Sequence, residues 1–182
     1  VVLAEDQGII AMIQHHDMLY RDLTDPVHLL QNRGSHPEIA QFWAYPHHHN
    51  SEIDNEDARA YSELMRVSQS AVAGEVLQSY SFASHKTLLD VGWGHGAFLT
   101  AVGRAHPHLQ LQLFDLPQVA EQGADIMKAD GFANRITAHG GSFFEQDIPK
   151  GADIYSLIRV LYDHDDDSVR KILSNVYAAM ET

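Results

Sequence analysis

The sequence predicts an α/β fold with a parallel sheet, preceded by a helical region. From residue 87 onward, short apolar segments suited to buried strands alternate with segments of helical periodicity, which is the pattern of a parallel sheet with crossover helices. The first strand ends at an acid, and glycines then follow at every second position. This motif is Asp90-x-Gly92-x-Gly94-x-Gly96. A strand, a glycine-rich turn and a helix in this order form a common ligand-binding unit of α/β proteins.

Residues 1–80 form the predicted helical region. Apolar positions on one face predict a helix over about residues 8–20, and Pro26 opens a short second helix because proline is tolerated in a first turn. A polar stretch follows, and a third helix is predicted over residues 55–79. Its apolar stripe includes Tyr61 and Met65. Such a stripe packs either into a core or along an apolar substrate pocket.

Residues 81–182 form the predicted α/β domain. The predicted strands are Thr87–Val91, Gln110–Phe114, Ile136–His139 and Ile154–Val160. The helices predicted after the first, second and fourth strands cover residues 96–105, 118–129 and 168–179. In a parallel sheet the carboxyl ends of the strands share one edge, so the residues that follow each strand are the candidates for a binding site.

Composition limits the class of partner. The chain has 182 residues, a net charge of −13 and no cysteine. Its length is enough for a sizeable core, and an acidic chain lacks the basic surface that attracts nucleic acids and anionic membranes. No disulfide can form, and no apolar run approaches the roughly 18 residues of a membrane-spanning helix. We therefore expect a cytoplasmic protein with a small-molecule substrate, no nucleic-acid partner and no integral membrane segment.

The glycine motif predicts a site for an adenosine-bearing cofactor. Glycines permit positive φ and let a ligand approach the backbone closely, and the helix that begins after Gly96 presents free N–H groups. An acid two residues before the first glycine, here Asp90 before Gly92, resembles motif I of class I S-adenosylmethionine-dependent methyltransferases. The dinucleotide motif G-x-G-x-x-G has a different spacing, so a nicotinamide or flavin site is the weaker alternative, as is a purely structural turn.

Asp115 is the second candidate for cofactor binding. It lies 25 residues after Asp90, at the carboxyl end of the second predicted strand. An acid at this place commonly accepts hydrogen bonds from the ribose hydroxyls of a nucleoside cofactor. The alternative is a helix N-cap or a turn residue.

Three further segments extend the resemblance. Phe114–Pro117, Gly141–Phe144 and Leu157–His164 resemble, in this order, serial motifs of the O-methyltransferase family that includes the plant phenolic and acetylserotonin enzymes. The residues of these segments, together with IQHHDMLYRDLTDPVHLL and FWAY upstream, are most similar to those of the bacterial carotenoid O-methyltransferases. Those enzymes methylate demethylspheroidene or hydroxyneurosporene. The resemblance implies a Rossmann-like methyltransferase fold with N-terminal helices as a lid on the substrate side. It also implies S-adenosylmethionine as cofactor and a hydrophobic hydroxylated acceptor.

Residue roles follow from the same resemblance. The implied cofactor-binding residues are Asp90, Gly92, Gly94, Gly96, Asp115, Leu116, Ser142, Phe143 and Arg159. Tyr61 and Met65 are implied to border the substrate. Two positions depart from the family pattern, since Trp93 replaces a glycine and crowds the turn, and Ser142 replaces an aspartate and loses its charge.

The catalytic segment also departs from the family, in which a His-Asp-Trp run supplies the general base. Here the run is Tyr162-Asp163-His164. A tyrosine, with an ordinary pKa of about 10, is a poor base at neutral pH, whereas a histidine at about 6.5 is well placed. Tyr162 therefore orients the acceptor hydroxyl or lies at a core edge, and His164 either takes the proton or is a cap or surface residue.

Clusters of acids and histidines raise the alternative of a metal site. Asp163 and Asp165–Asp167 are of the oxygen-rich kind that binds Mg²⁺ or Ca²⁺, but acids before a helix are also favoured as N-caps and by the helix dipole. His15-His16 and His47–His49 have no second pair at helical spacing, which favours a solvated loop. We expect no metal.

The two ends of the chain predict a fragment. Val1 stands where an initiator methionine would, and Thr182 closely follows the last predicted helix. The resembled full-length enzymes are homodimers with an N-terminal dimerisation domain and further C-terminal strands, so the sheet here is expected to be incomplete. A truncated or degenerate member without turnover is the alternative function. The lipid-soluble acceptor leaves peripheral association with a membrane open.

Overall fold

The structure is a computed structural model, and it describes four parts of the chain. These are residues 7–31, 38, 69–92 and 96–180. The chain divides into two compact units, Val1–Ala71 and Val72–Thr182. Residues 72–79 group with the second unit, whereas the sequence analysis placed them in the helical region. In the described parts no helix combines the length and apolar character needed to cross a bilayer.

Among its described residues, the first unit has helices at both of the places predicted for residues 7–31. Helix α1 spans Gln7–Asp22 and helix α2 spans Pro26–Gln31. The Asp25 carboxylate accepts a hydrogen bond from the backbone N–H of His28 at 2.9 Å, which satisfies a free donor in the first turn of α2. The substrate-bordering candidates Tyr61 and Met65 and the triplet His47–His49 lie outside the described residues.

The second unit is a parallel α/β sheet, which confirms the predicted fold class. Its strands are β1 Thr87–Val91, β2 Gln110–Asp115, β3 Ile136–Gly140 and β4 Ile154–Ser156, in the order β3-β2-β1-β4. Its helices are α3 (described over residues 69–79, of which 72–79 belong to this unit), α4 Ala97–Ala105, α5 Pro117–Met127 and α6 Asp166–Met180. Short helical turns cover Lys128–Phe132 and Leu161–Asp163.

Apolar side chains fill both faces of the sheet. On one face Leu88, Leu111 and Leu113 pack with α3, α4 and α5. On the other face Leu89 and Val91 pack with α6. The strands are therefore covered on both sides, as expected for near-continuous apolar strands in a parallel sheet.

Strand β4 is shorter than predicted. The sequence predicted Ile154–Val160, but the strand ends at Ser156, which pairs with Asp90 of β1. Only Val91 of β1 follows this pair before the chain turns at Gly92. The residues after Ser156 therefore soon run out of an extended strand to pair with. Arg159 then adopts φ 58°, which is incompatible with a strand.

Arg135 fastens the carboxyl end of α4 to the sheet. Its guanidinium donates to the carbonyl oxygens of Gly103, His106 and Leu109 at 2.8, 3.2 and 2.9 Å. The same group lies 5.1 Å from the centre of the Phe132 ring. These carbonyls include the orphan acceptors at a helix end, so one side chain satisfies several groups that the helix itself cannot.

We expect Arg135→Ala to lower the free energy of unfolding by about 2–3 kcal/mol, because partly buried carbonyls lose a charged donor. Chemical denaturation measures this change. Arg104→Ala is the matched control, since Arg104 makes only an exposed ion pair with Asp130 at 3.3 Å and should cost about 0.5 kcal/mol or less. Equal losses of stability in the two variants would contradict this role of Arg135.

Candidate functional site

The strand order creates a crevice at the carboxyl edge of the sheet. Strands β1, β2 and β3 follow each other in one direction, and the chain then crosses to place β4 on the other side of β1. Helix α4 follows β1 onto one face, and α6 follows β4 onto the opposite face. Connections leaving two neighbouring strands in opposite directions form the switch point at which open α/β sheets bind ligands.

Gly92 turns the chain at the end of β1. Its φ is 75°, and its N–H donates to the carbonyl of Phe114 at 2.8 Å. A Cβ added at this position would lie 2.7 Å from Cγ2 of Val160, so no side chain fits. Gly96, with φ 68°, immediately precedes α4. The predicted glycine turn therefore forms at these two positions, whereas Trp93 and Gly94 lie outside the described residues.

Asp90 is buried behind this turn. It is 2% exposed, and its carboxylate accepts a hydrogen bond from the Ser156 hydroxyl at 2.6 Å. Burial raises the pKa of Asp90 to about 7, the Ser156 hydrogen bond opposes that rise, and the charge of Asp115 adds to it. The carboxyl group therefore ionises at a much higher pH than an ordinary aspartate does.

This shift has a defined sign in stability. The pKa of Asp90 is about 7 in the folded protein and ordinarily 3.8. The protonated carboxyl group therefore favours the folded state below about pH 4, and this contribution to the free energy of unfolding is lost as the pH rises through about 7. Asp90→Asn removes the ionisation. We expect the free energy of unfolding of the parent to fall, relative to that of the variant, between about pH 4 and pH 7. Parallel denaturation curves at each pH measure this difference, and a constant difference would contradict the assignment.

Asp115 is the last residue of β2 and lies at the same edge. Its carboxylate accepts the N–H of Leu116 at 2.7 Å, and its carbonyl accepts the N–H of Gly141 at 2.8 Å. Leu116, and not Asp115, occupies the N-cap of α5. The capping alternative for Asp115 is therefore wrong, and its side chain makes a turn contact beside the crevice.

The loop after β3 carries Ser142 and Phe143. The Ser142 N–H donates to Gln146 at 2.5 Å, and its hydroxyl accepts the N–H of Phe144 at 3.2 Å. The carbonyl of Phe143 accepts a hydrogen bond from the Asn175 side chain of α6 at 2.7 Å. The loop is therefore tied both to itself and to the helix that follows β4.

Tyr162 and His164 lie in the segment between β4 and α6. The Arg159 guanidinium donates to the Tyr162 hydroxyl at 3.1 Å, and Tyr162 is 61% exposed. The ring of His164 contacts Phe143 and Phe144 edge-on, with centroids 5.6 and 5.4 Å apart. His164 thus packs against the loop after β3. The Tyr162 hydroxyl lies beside the Arg159 guanidinium.

The acids before α6 act on the helix. Asp165 accepts the N–H of Ser168 at 2.8 Å, and this hydrogen bond lowers the pKa of Asp165. Asp167 pairs with Arg170 at 2.7 Å. The capping interpretation is confirmed for Asp165. No group of three histidines or acids that could hold a metal ion occurs among the described side chains.

Two residues of the site were missed by the sequence analysis. Ser156 bonds Asp90 across the β1–β4 pair, and Val160 fills the space beside Gly92. A polar residue inside an apolar predicted strand was a signal for Ser156. Nothing in the sequence pointed to Val160, because its role depends on where the end of β4 meets the turn.

Known proteins are similar to this chain in sequence and in fold. The O-methyltransferase domain matches residues 20–182. Demethylspheroidene O-methyltransferase of Cereibacter sphaeroides is 46% identical over 95% of this chain and 45% of its own length. The enzyme of that name from Rhodobacter capsulatus is 43% identical over 95% of this chain and 42% of its own length. The chain thus spans a little less than half the length of these relatives.

Solved structures agree with the resemblance seen in the sequence. Mitomycin 7-O-methyltransferase MmcR is 29% identical with a TM-score of 0.75, over 97% of this chain and 52% of that one. A structure described as PigF with SAH, at 23% identity and a TM-score of 0.71, supports the fold alone. Because the family match covers nearly all of its sequence, the chain belongs to the O-methyltransferase domain family.

Proposed function

We propose that this chain is the cofactor-binding part of an S-adenosylmethionine-dependent O-methyltransferase that acts on a hydrophobic hydroxylated acceptor of the hydroxycarotenoid type. The glycine turn beside Asp115 at the switch point carries this proposal. The acceptor class follows from the two relatives named demethylspheroidene O-methyltransferase, at 46% and 43% identity. The same relatives favour an enzyme over a degenerate family member.

The residues present fit an adenosine-bearing donor. At Gly92 no side chain covers the backbone. A larger residue does not fit there, because φ is 75° and a Cβ would lie 2.7 Å from Val160. The N-terminus of α4 begins after Gly96, and the N–H groups of a helix's first turn have no partner within the helix itself. Asp115, one strand away, offers carboxylate oxygens for ribose hydroxyls. Leu116, Ser142, Phe143 and Arg159 complete the proposed cofactor contacts, with Asp90 behind the turn.

When bound, S-adenosylmethionine supplies a methyl group on a positively charged sulfur for transfer to a hydroxyl oxygen. The chain must orient that hydroxyl and hold the proton that it loses. Tyr162 can orient it through its own hydroxyl, which Arg159 keeps in place at 3.1 Å. His164 is the proposed proton acceptor, because an imidazole nitrogen can accept a proton and its ring is held by two phenylalanines.

Calorimetric titration with S-adenosylhomocysteine tests the cofactor site, and methylation of a hydroxycarotenoid of the demethylspheroidene type tests the acceptor. We expect micromolar binding and formation of the methyl ether. Absence of binding by a chain that circular dichroism shows to be folded would overturn the cofactor assignment. Binding without turnover on any hydrophobic alcohol or phenol would favour the degenerate member.

Two substitutions separate orientation from proton transfer. We expect His164→Ala to lower kcat by about 100-fold, as loss of a general base does, with recovery at high pH. Tyr162→Phe should lower kcat/KM by about tenfold, because one hydrogen bond is lost, and should keep the pH profile. Tyr177→Phe, an exposed tyrosine on α6, is the matched control. Turnover equal to the parent in both variants would remove both residues from catalysis.

The proposed setting follows from the same chemistry. We propose a cytoplasmic protein that contacts the membrane peripherally, because a carotenoid acceptor dissolves in the membrane. Tyr61 and Met65, which lie outside the residues that the structure describes, are the proposed acceptor contacts.

A further inference from the structure

Ser156 is a polar residue at the end of an otherwise apolar edge strand. It stands opposite Asp90 in the β1–β4 register, so both side chains project from the same face of the sheet. Its hydroxyl donates to the Asp90 carboxylate at 2.6 Å, a short distance typical of a hydrogen bond to an ionised acceptor. The sequence resemblance gave Ser156 no role.

The surroundings of Asp90 make this hydrogen bond important for the ionisation of its carboxyl group. On the same face, Leu88 and Leu113 belong to the apolar cluster that packs against α4. The charged group that acts on Asp90 within the described part of the chain is Asp115 of β2, and its effect is repulsive. Ser156 is therefore the side chain that favours the ionised form of a carboxyl group that burial and a neighbouring acid both disfavour.

We propose that Ser156 is a positioning residue of the cofactor site: its hydroxyl holds the Asp90 carboxylate behind the glycine turn and so sets the pH above which the turn binds the cofactor tightly. This inference rests on the proposed function. An ionised Asp90 attracts the ammonium group of the cofactor's amino-acid end and the positive sulfur of the methyl donor, whereas the protonated acid does not. Because Asp90 is two residues from Gly92, a change in its ionisation affects the proposed cofactor site at the glycine turn.

Loss of the hydroxyl has a definite sign. In Ser156→Ala the carboxylate loses its donor, so the pKa of Asp90 rises further and the ionised form appears at higher pH. A hydrogen bond to a charged group corresponds to a shift of about one pH unit, which lowers the affinity about threefold at a pH midway between the two midpoints and about tenfold well below both. Ser156→Thr keeps the hydroxyl and the strand geometry, and it should behave as the parent does.

The test is the affinity for S-adenosylhomocysteine, measured by calorimetry from about pH 6 to about pH 9, in the parent, Ser156→Ala and Ser156→Thr. Ser174→Ala is the control, because Ser174 bonds only its own helix backbone, at the Arg170 carbonyl. The ionisations of the ligand are common to all variants. We expect affinity to rise with pH in the parent, and the midpoint to move up by about one unit in Ser156→Ala alone.

A second readout needs no ligand. Carbon NMR of labelled aspartate follows the titration of Asp90 directly, and its midpoint should move in the same direction in Ser156→Ala. A merely structural serine would lower stability and leave both midpoints in place, which would overturn the proposal, as would a parent affinity that does not change with pH. No binding by the folded parent at any pH is a different result, since it overturns the proposed function itself.

Discussion

Gly92→Ala is expected to abolish measurable binding of S-adenosylhomocysteine and to lower the free energy of unfolding by about 2–5 kcal/mol. Two costs add in this substitution. An alanine at φ 75° pays the left-handed backbone penalty of about 1–2 kcal/mol. Its Cβ would also lie 2.7 Å from Val160, and overpacking of this kind costs about 1–3 kcal/mol. The turn can relieve the contact only by moving, which displaces the backbone from the cofactor.

Gly131→Ala and Gly151→Ala separate the two costs. Both glycines have positive φ, 94° and 93°, but a Cβ at either position would meet no atom within 4 Å. These variants should therefore show the backbone penalty alone and keep full affinity for S-adenosylhomocysteine. Denaturation and calorimetry on the three variants measure both quantities. If Gly92→Ala were no worse than the two controls, the close contact with Val160 would have no role.

Asp115→Ala is expected to weaken the binding of S-adenosylhomocysteine by about 10–100-fold. A carboxylate that accepts hydrogen bonds from ribose hydroxyls contributes about 1.5–3 kcal/mol, which corresponds to this range. The carbonyl of Asp115, which holds Gly141 at 2.8 Å, is part of the backbone and is retained. The fold should therefore survive the substitution, and calorimetry would register a change in affinity with little change in stability.

The same variant makes a second, independent prediction. The charge of Asp115 contributes to the raised pKa of Asp90, so its removal should move the Asp90 titration to lower pH. Asp125→Ala is the control, since Asp125 makes an exposed pair with Lys128 at 3.2 Å. Unchanged affinity in Asp115→Ala would refute the ribose assignment, even if the Asp90 titration moved as expected.

The sequence predicted the sheet well because buried parallel strands are apolar over their whole length. Strand β1 was predicted at Thr87–Val91 and is found there, and β3 differs by one residue. The end of β4 could not be predicted in the same way. Residues 157–160 keep a largely apolar pattern, and what ends the strand is the turn of its neighbour β1 at Gly92. Strand length at a sheet edge is a property of the pair.

The site divides along the same line. Glycine spacing and the acid at the end of β2 are local signals, and they placed Gly92, Gly96 and Asp115 at one edge of the sheet. Ser156 depends on which strand lies beside β1 and in which register, and neither is written in a local pattern. The placement of Asp165 as an N-cap was predictable, because capping involves residues three apart in sequence.

Strand β4 has only three residues, yet side chains secure it at both ends. Asp153, just before it, accepts the N–H groups of Lys86 and Thr87 at 2.9 and 2.8 Å, and Ser156 closes the other end on Asp90. Such a short edge strand would ordinarily fray on a fast timescale. Here opening must break both polar links together, so amide hydrogens along this strand pair should exchange with solvent as one cooperative unit. Both ends of β4 are thereby held against β1, which keeps one wall of the crevice rigid.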